Sequence, residues 1–236
     1  MQRTRLAFAL PLFCWNAAGC RDTVDVPDDR PPPVIEALLL ADSNQSTFRI
    51  VWPTWGDDPG GDTPVGTDSV DLTLEGPDGR ASLVPDPGTA GLFRAALRIE
   101  RGKRYRLAGT VADRRILAET TMPTRFLVGW PADTVLLPTR PPASLPFRWT
   151  SEGATAYFAR GARLDILSSA QAASRDTSGL VYFDPQPGAS SLGYTLFAVN
   201  LDADRYLFSF PAGRSNVEGG FGYLGGAIAL ERVVRW

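Results

Sequence analysis

Apolar and polar residues alternate over short runs along most of this chain, and turn-forming residues punctuate the runs. In 70–75, Val70, Leu72 and Leu74 fall on one face and Asp71, Thr73 and Glu75 on the other, the period of a half-buried strand. Pro77-Asp78-Gly79 then turns the chain into a strand at 81–84. Phe93, Ala95, Leu97 and Ile99 alternate with Arg94, Ala96 and Arg98. Past a turn at Gly102, Tyr105, Leu107, Gly109 and Val111 alternate with Arg104, Arg106, Ala108 and Thr110. Residues 116–122 predict another strand, which Pro123 ends. Nothing in 34–122 has helical spacing.

The next segment, 123–146, is rich in proline (Pro123, Pro131, Pro138, Pro141, Pro142, Pro146) and predicts a connector holding a strand at 133–137. Beyond it, Phe147-Arg148-Trp149 and Ala156-Tyr157-Phe158-Ala159 resemble the second and third strands of a fibronectin-like sandwich. Residues 192–201 are apolar on both faces around Tyr194 and Phe197, which predicts a central strand. Asp202-Ala203-Asp204 reads as a turn into a further strand at 206–210. Ile228, Leu230, Val234 and Trp236 share one side of a final strand, and 162–173 has weak spacing for one short helix. The pattern predicts an all-β fold of two tandem immunoglobulin- or fibronectin-like β-sandwich units, 34–122 and 147–236. Each is long enough to bury its own core without a disulfide.

Residues 1–19 follow a different pattern. Arg3 and Arg5 open the segment, and 6–15 form an apolar run of roughly ten residues, against about 20 for a spanning helix. Ala17-Ala18-Gly19 closes it before Cys20. That is a secretory leader, and a cysteine directly after the small residues predicts a bacterial lipoprotein, cleaved before Cys20 and carrying diacylglycerol on its sulfur. Plain secretion is the alternative, and it leaves an unpaired thiol in an oxidising compartment. Residues 20–33, with Asp25, Asp28, Asp29 and Pro31-Pro32-Pro33, predict a solvated tether. Arg21 stands where an inner-membrane retention signal carries aspartate, which favours the outer membrane.

Charge and composition narrow the chemistry. Lys and Arg number 24 against 26 Asp and Glu, a formal net charge of −2, and loss of Arg3 and Arg5 with the leader makes the chain more acidic. With no basic stripe, nucleic acid is not an expected partner. There is no histidine, which excludes Ser-His-Asp and Cys-His catalysis and imidazole ligation of a metal. An acylated Cys20 is no nucleophile. Lys103, the sole lysine, lies in a turn, Arg101-Gly102-Lys103-Arg104. The chain reads as a non-enzyme.

Three motifs in the first unit are of a kind common in bacterial sandwich domains: 72–80 (LTLEGPDGR), 102–107 (GKRYRL) and 118–123 (AETTMP). A fourth, Ser215-Asn216-Val217-Glu218-Gly219-Gly220-Phe221-Gly222-Tyr223-Leu224-Gly225, is more specific. With Cys20 and the sandwich pattern, the chain is similar to a group of uncharacterised bacterial surface lipoproteins. These join a leader cysteine to an immunoglobulin-like domain and a second β-rich portion, and they often accompany TonB-dependent outer-membrane receptors. The resemblance implies a cell-envelope role and names no activity.

Two candidate sites stand out besides Cys20. Asp57, Asp58, Asp62 and Asp68 crowd a loop rich in Gly and Pro, and such hard oxygen ligands suit calcium. Their spacing is not that of an EF-hand, and acidic loops of this composition are ordinarily just solvated. Trp52, Trp55, Trp130, Trp149 and Trp236 offer flat faces for stacking on sugars, and burial in the cores is the competing account. Trp55, beside the acidic loop, is the surface candidate for ligand binding. The glycine-rich run at 219–226 lacks the Lys-Ser/Thr of a phosphate loop and predicts bulges or close backbone approach within a strand. The expectation is a non-enzymatic, lipid-anchored envelope protein that acts as a protein-binding or accessory subunit. The alternatives are a glycan-binding accessory lipoprotein of an outer-membrane uptake system, and a structural subunit docked on the periplasmic face of an integral-membrane complex.

Overall fold

The computed structural model describes residues 31–53, 63–130, 134–137, 144–161, 163–166, 177–182, 188–208 and 214–236. All belong to one compact unit, Pro31–Trp236. In chain order come β1 (Val34–Leu40), β2 (Ser46–Trp52), β3 (Thr63–Pro64), β4 (Val70–Gly76), β5 (Gly79–Ser82), β6 (Val84–Pro85), β7 (Leu92–Ala95), β8 (Arg104–Val111) and β9 (Arg114–Thr121). There follow β10 (Arg125–Trp130), β11 (Thr134–Leu136), β12 (Ser144–Glu152), β13 (Ala156–Arg160), β14 (Arg163–Ile166), β15 (Thr177–Tyr182), β16 (Ser191–Val199), the helix α1 (Leu201–Leu207), β17 (Val217–Glu218) and β18 (Phe221–Arg235).

The fold is all-β. Among the described residues the strands form three sheets. A nine-stranded sheet runs β13-β16-β18-β1-β2-β7-β6, with β11 also on β18 and β3 also on β2. A five-stranded sheet runs β17-β9-β8-β4-β5, and a four-stranded one β10-β12-β15-β14. The first core lies where the inward positions of β1, β2 and β7 (Ile35, Leu39, Phe48, Ile50, Phe93) meet those of β4, β8 and β9 (Leu72, Leu74, Leu107, Ile116). The second lies between β13, β16 and β18 (Tyr157, Leu196, Ile228, Val234) and β10 and β12 (Phe126, Phe147, Trp149). Each fully buried Phe or Leu contributes about 1.5–3 kcal/mol relative to exposure. Leu97 and Ile99 stay buried although they leave the ladder after Ala95.

Tyr105 shows how the first core is pinned. It is fully buried at the start of β8. Its hydroxyl donates to the carbonyl of Arg98 (3.2 Å) and accepts the N–H of Glu100 (2.7 Å). This is the arrangement known in sandwich domains as a tyrosine corner. Burial raises its phenol pKa above the ordinary value.

β18 ties the two cores together. Phe221 to Ala227 pair in parallel with Val34 to Leu40 of β1, while Ala227 to Arg235 pair antiparallel with Val199 to Ser191 of β16. Leu224 enters the first core; Ile228 and Val234, on the same face by the two-residue period, enter the second. The stretches 34–122 and 147–236, read from sequence as separate units, thus contribute to one continuous sheet. The segment between them is more than a connector, since it holds β10 and β11 and the start of β12.

Two local expectations change. Of the strand predicted at 206–210, residues 206 and 207 belong to α1 instead, and 209–210 lie outside the described residues. Asn200 is the helix's N-cap, accepting from the N–H of Ala203 at 3.2 Å, and Asp202 and Asp204 lie in its first turn, both favourable to a helix start. Of the short helix expected at 162–173, residues 163–166 form β14 instead; 162 and 167–173 lie outside the described residues. α1 covers the other face of the nine-stranded sheet, where Ala203 packs with Phe197, Val199, Tyr223 and Ala227. Tyr206 stacks on Tyr223 at 4.9 Å and donates to Glu36 at 3.2 Å. Burial pushes the Tyr223 phenol up to about 12, with Glu36 and Tyr206 adding to the effect.

Candidate functional site

β9 ends, and α1 begins, at a shared polar knot. Asn200 is 4% exposed and belongs to the short link between β16 and α1. Its Oδ1 accepts from the N–H of Ala203 and, at 3.0 Å, from that of Gly226. Its Nδ2 donates to Thr120 Oγ1 (2.6 Å), to the Thr121 carbonyl (2.8 Å) and, longer, to Asp202 Oδ2 (3.3 Å). Thr120, also buried, donates its hydroxyl to the same Asp202 oxygen at 2.9 Å. One amide therefore closes the helix start, the end of β9 and the middle of β18. Leaving any of these buried groups without a partner costs about 1–3 kcal/mol.

Asn216 does the same work one step further along. Its Nδ2 donates to the carbonyls of Glu119 (3.0 Å) and Leu224 (2.9 Å), and its Oδ1 accepts from the N–H of Leu224 (2.9 Å). It bridges β9 in the five-stranded sheet to β18 in the nine-stranded one. The Ser215–Gly225 motif is thereby a structural clasp, and the close backbone approach expected of its glycines is present. A Cβ on Gly222 would strike the Ile35 carbonyl, and one on Gly226 would lie 2.7 Å from Met122 Sδ.

A groove of about 560 Å³ opens above the knot, between the start of β8, the end of β9 and the start of α1. Thr121, Thr124, Leu201 and Asp202 line it, and so do Arg104 and Glu119, which form an exposed ion pair. That pair is one end of a ladder across the exposed face of β4, β8 and β9, in which Arg106 also approaches Glu75 (3.5 Å) and Glu119 (3.9 Å). Exposed pairs of this kind contribute little to stability. Burial raises the pKa of the Asp202 carboxyl, opposed by the Thr120 hydrogen bond, the charge of Arg205 and the Asn200 amide. A second hollow, about 390 Å³, lies along β13, β16 and β18. There the buried Arg232 donates to the Glu231 carbonyl at 2.7 Å, and burial holds the Tyr194 phenol well above its ordinary pKa. In the first hollow the Thr120 hydroxyl stands beside the Asp202 carboxylate, and both are tied into the knot by the Asn200 amide.

Of the site residues proposed from sequence, only Asp68 is described. Cys20, Trp55, Asp57, Asp58 and Asp62 lie outside the described residues. Asp68 is exposed in a short 3₁₀ turn, Thr67–Ser69. Among the described residues no three Cys, Asp or Glu side chains gather as a metal-ligand set, and no helix is long and apolar enough to cross a membrane. Trp149 is buried in the second core, Trp236 packs against it, and Trp52 packs against the first. Lys103 is exposed at its turn. The knot residues Thr120, Asn200 and Asp202 were missed. Asn200 before a turn carrying two aspartates is an N-cap signal, the one trace the sequence offers of them.

No protein-family model matches the chain, and no curated protein matches it. Among solved structures it is similar to domains 4 and 5 of the S-layer protein SbsC, at 12% identity and a TM-score of 0.22, over 89% of this chain and 95% of that one; neither fold nor function carries across at that level.

Proposed function

We propose that this chain is a non-enzymatic, lipid-anchored protein of the bacterial cell envelope, most naturally of the outer membrane, that works by binding another protein. The observation that carries the reading is Cys20 placed directly after Ala17-Ala18-Gly19 and a short apolar run opened by arginines. That order suits cleavage and acylation, whereas plain secretion leaves the thiol unexplained. The lack of histidine supports a binding role over catalysis.

Two measurements test it in sequence. Intact-mass analysis of protein extracted from native membranes is expected to show a chain starting at Cys20 and heavier by a diacylglycerol plus acyl group, with Cys20→Ser shifting the protein to the soluble fraction. An unmodified thiol, or the wild type in the cytosol, removes the anchor. Pull-down from gently solubilised membranes is then expected to return a partner at reproducible stoichiometry. If no protein co-purifies, the binding half of the reading goes.

A further inference from the structure

The groove above the Asn200 knot has features that specify a guest. Its fixed charge comes from Asp202. The carboxylate is half-buried, and Oδ2 is committed to Thr120 and Asn200. Oδ1 takes no hydrogen bond among the described residues, and Asp202 lines the groove. The nearby Arg104 does not neutralise it, being engaged by Glu119. Arg205, on the same helix, eases the charge without closing an ion pair on it. Beside the carboxylate stands Leu201, 42% exposed, and Thr121 and Thr124 also line the groove. No aromatic ring lines the groove among the described residues, so the stacking platform that sugars favour is missing. One exposed leucine beside one anchored carboxylate suits a long aliphatic stem with a cationic head.

We propose that this groove receives an arginine or lysine side chain presented by a partner protein, with Asp202 pairing its cationic head and Leu201 covering its stem. The inference rests on the protein-binding part of the reading above and not on the lipid anchor. Rim ion pairs contribute mainly to specificity and encounter, whereas a held, partly desolvated carboxylate contributes to the lifetime of the complex. The Thr120 and Asn200 hydrogen bonds orient Asp202 before the guest arrives, which lowers the ordering cost of binding.

The test uses the full-length chain in detergent, isotopically labelled, with its backbone amides followed by NMR. N-acetyl-arginine amide is the probe, N-acetyl-citrulline amide its uncharged isostere, and glucose the sugar control. Saturable shifts at Thr121, Leu201 and Asp202 are expected with the arginine probe, at least tenfold weaker binding with citrulline, and no saturation with glucose. Asp202→Asn is expected to weaken arginine binding about tenfold and Leu201→Ser about threefold, so either variant reports if the other is poorly folded. Equal binding of arginine and citrulline, saturation by glucose at the same amides, or no saturable shift with any probe overturns the proposal. In membrane pull-downs, a partner retained equally by wild type, Asp202→Asn and Leu201→Ser overturns the groove assignment while leaving the protein-binding reading intact.

Discussion

Asp202 carries a charge that the fold tolerates rather than welcomes. Its Oδ2 has two hydrogen bonds and Arg205 is close in the electrostatic sense, yet burial outweighs them and the pKa rises. The direction fixes the sign of a pH effect. A carboxyl whose folded pKa exceeds its unfolded value, about 3.9, favours the fold most when protonated. That contribution is complete below the unfolded value and is lost as pH rises through the folded one. Asp202→Asn keeps a side-chain oxygen for Thr120 and Asn200 but does not titrate. The unfolding free energy of wild type minus that of Asp202→Asn is therefore expected to fall as pH rises from about 3 toward neutrality. Urea unfolding of both proteins across that range checks it. A difference that stays flat or grows would mean that the hydrogen bonds, not burial, dominate at this residue.

At the scale of elements, β18 depends on having no side chain at particular points. Gly222 has φ +104°, and a Cβ there meets the Ile35 carbonyl of the neighbouring parallel strand. Gly222→Ala combines a backbone strain with a clash against main chain, so a loss of about 3 kcal/mol or more is expected in urea unfolding. Gly193 in β16 is the internal control: a Cβ there meets nothing within 4 Å. Gly193→Ala should then shift stability by no more than about 1 kcal/mol in either direction; equal losses in the two variants would refute the close-approach account of β18. Glycines of this kind were legible in the sequence as a class, because a glycine weakens a strand interior unless main chain must pass close by or bulge there. So were β4, β8 and β9, where strict alternation leaves one face for the core. The helix α1 was legible only in its cap: Tyr206 and Phe208 favour a strand locally, against the capping by Asn200 and the packing of Ala203 with Tyr223. The groove was illegible for a different reason. Thr120 and Asn200 stand 80 positions apart, and no local pattern joins them.

For the whole molecule the decisive feature is that one strand serves two cores. Two sandwiches in tandem with separate sheets would unfold as separate cooperative units. Here Leu224 packs in the first core and Ile228 and Val234 in the second, with Asn200 and Asn216 holding the same strand to β9. Loss of either core releases β18 and so removes apolar surface and hydrogen-bond partners from the other. Phe93 and Phe147 are 1% and 0% exposed in the first and second cores respectively. Phe93→Ala and Phe147→Ala should each cost about 3–5 kcal/mol, a large share of a total of about 5–15 kcal/mol. With shared β18, both variants are expected to move one common transition to lower urea while keeping the slope of the wild type, since the surface exposed on unfolding is unchanged. Tryptophan fluorescence and far-ultraviolet circular dichroism should trace the same curve in each. Under independent units, Phe147→Ala would instead split the curve, the second core melting early and the first keeping its wild-type midpoint. Such a split would show that the pairing of β18 with β1 is too weak to couple the halves, and that the boundary read from the proline-rich segment governs how the molecule comes apart.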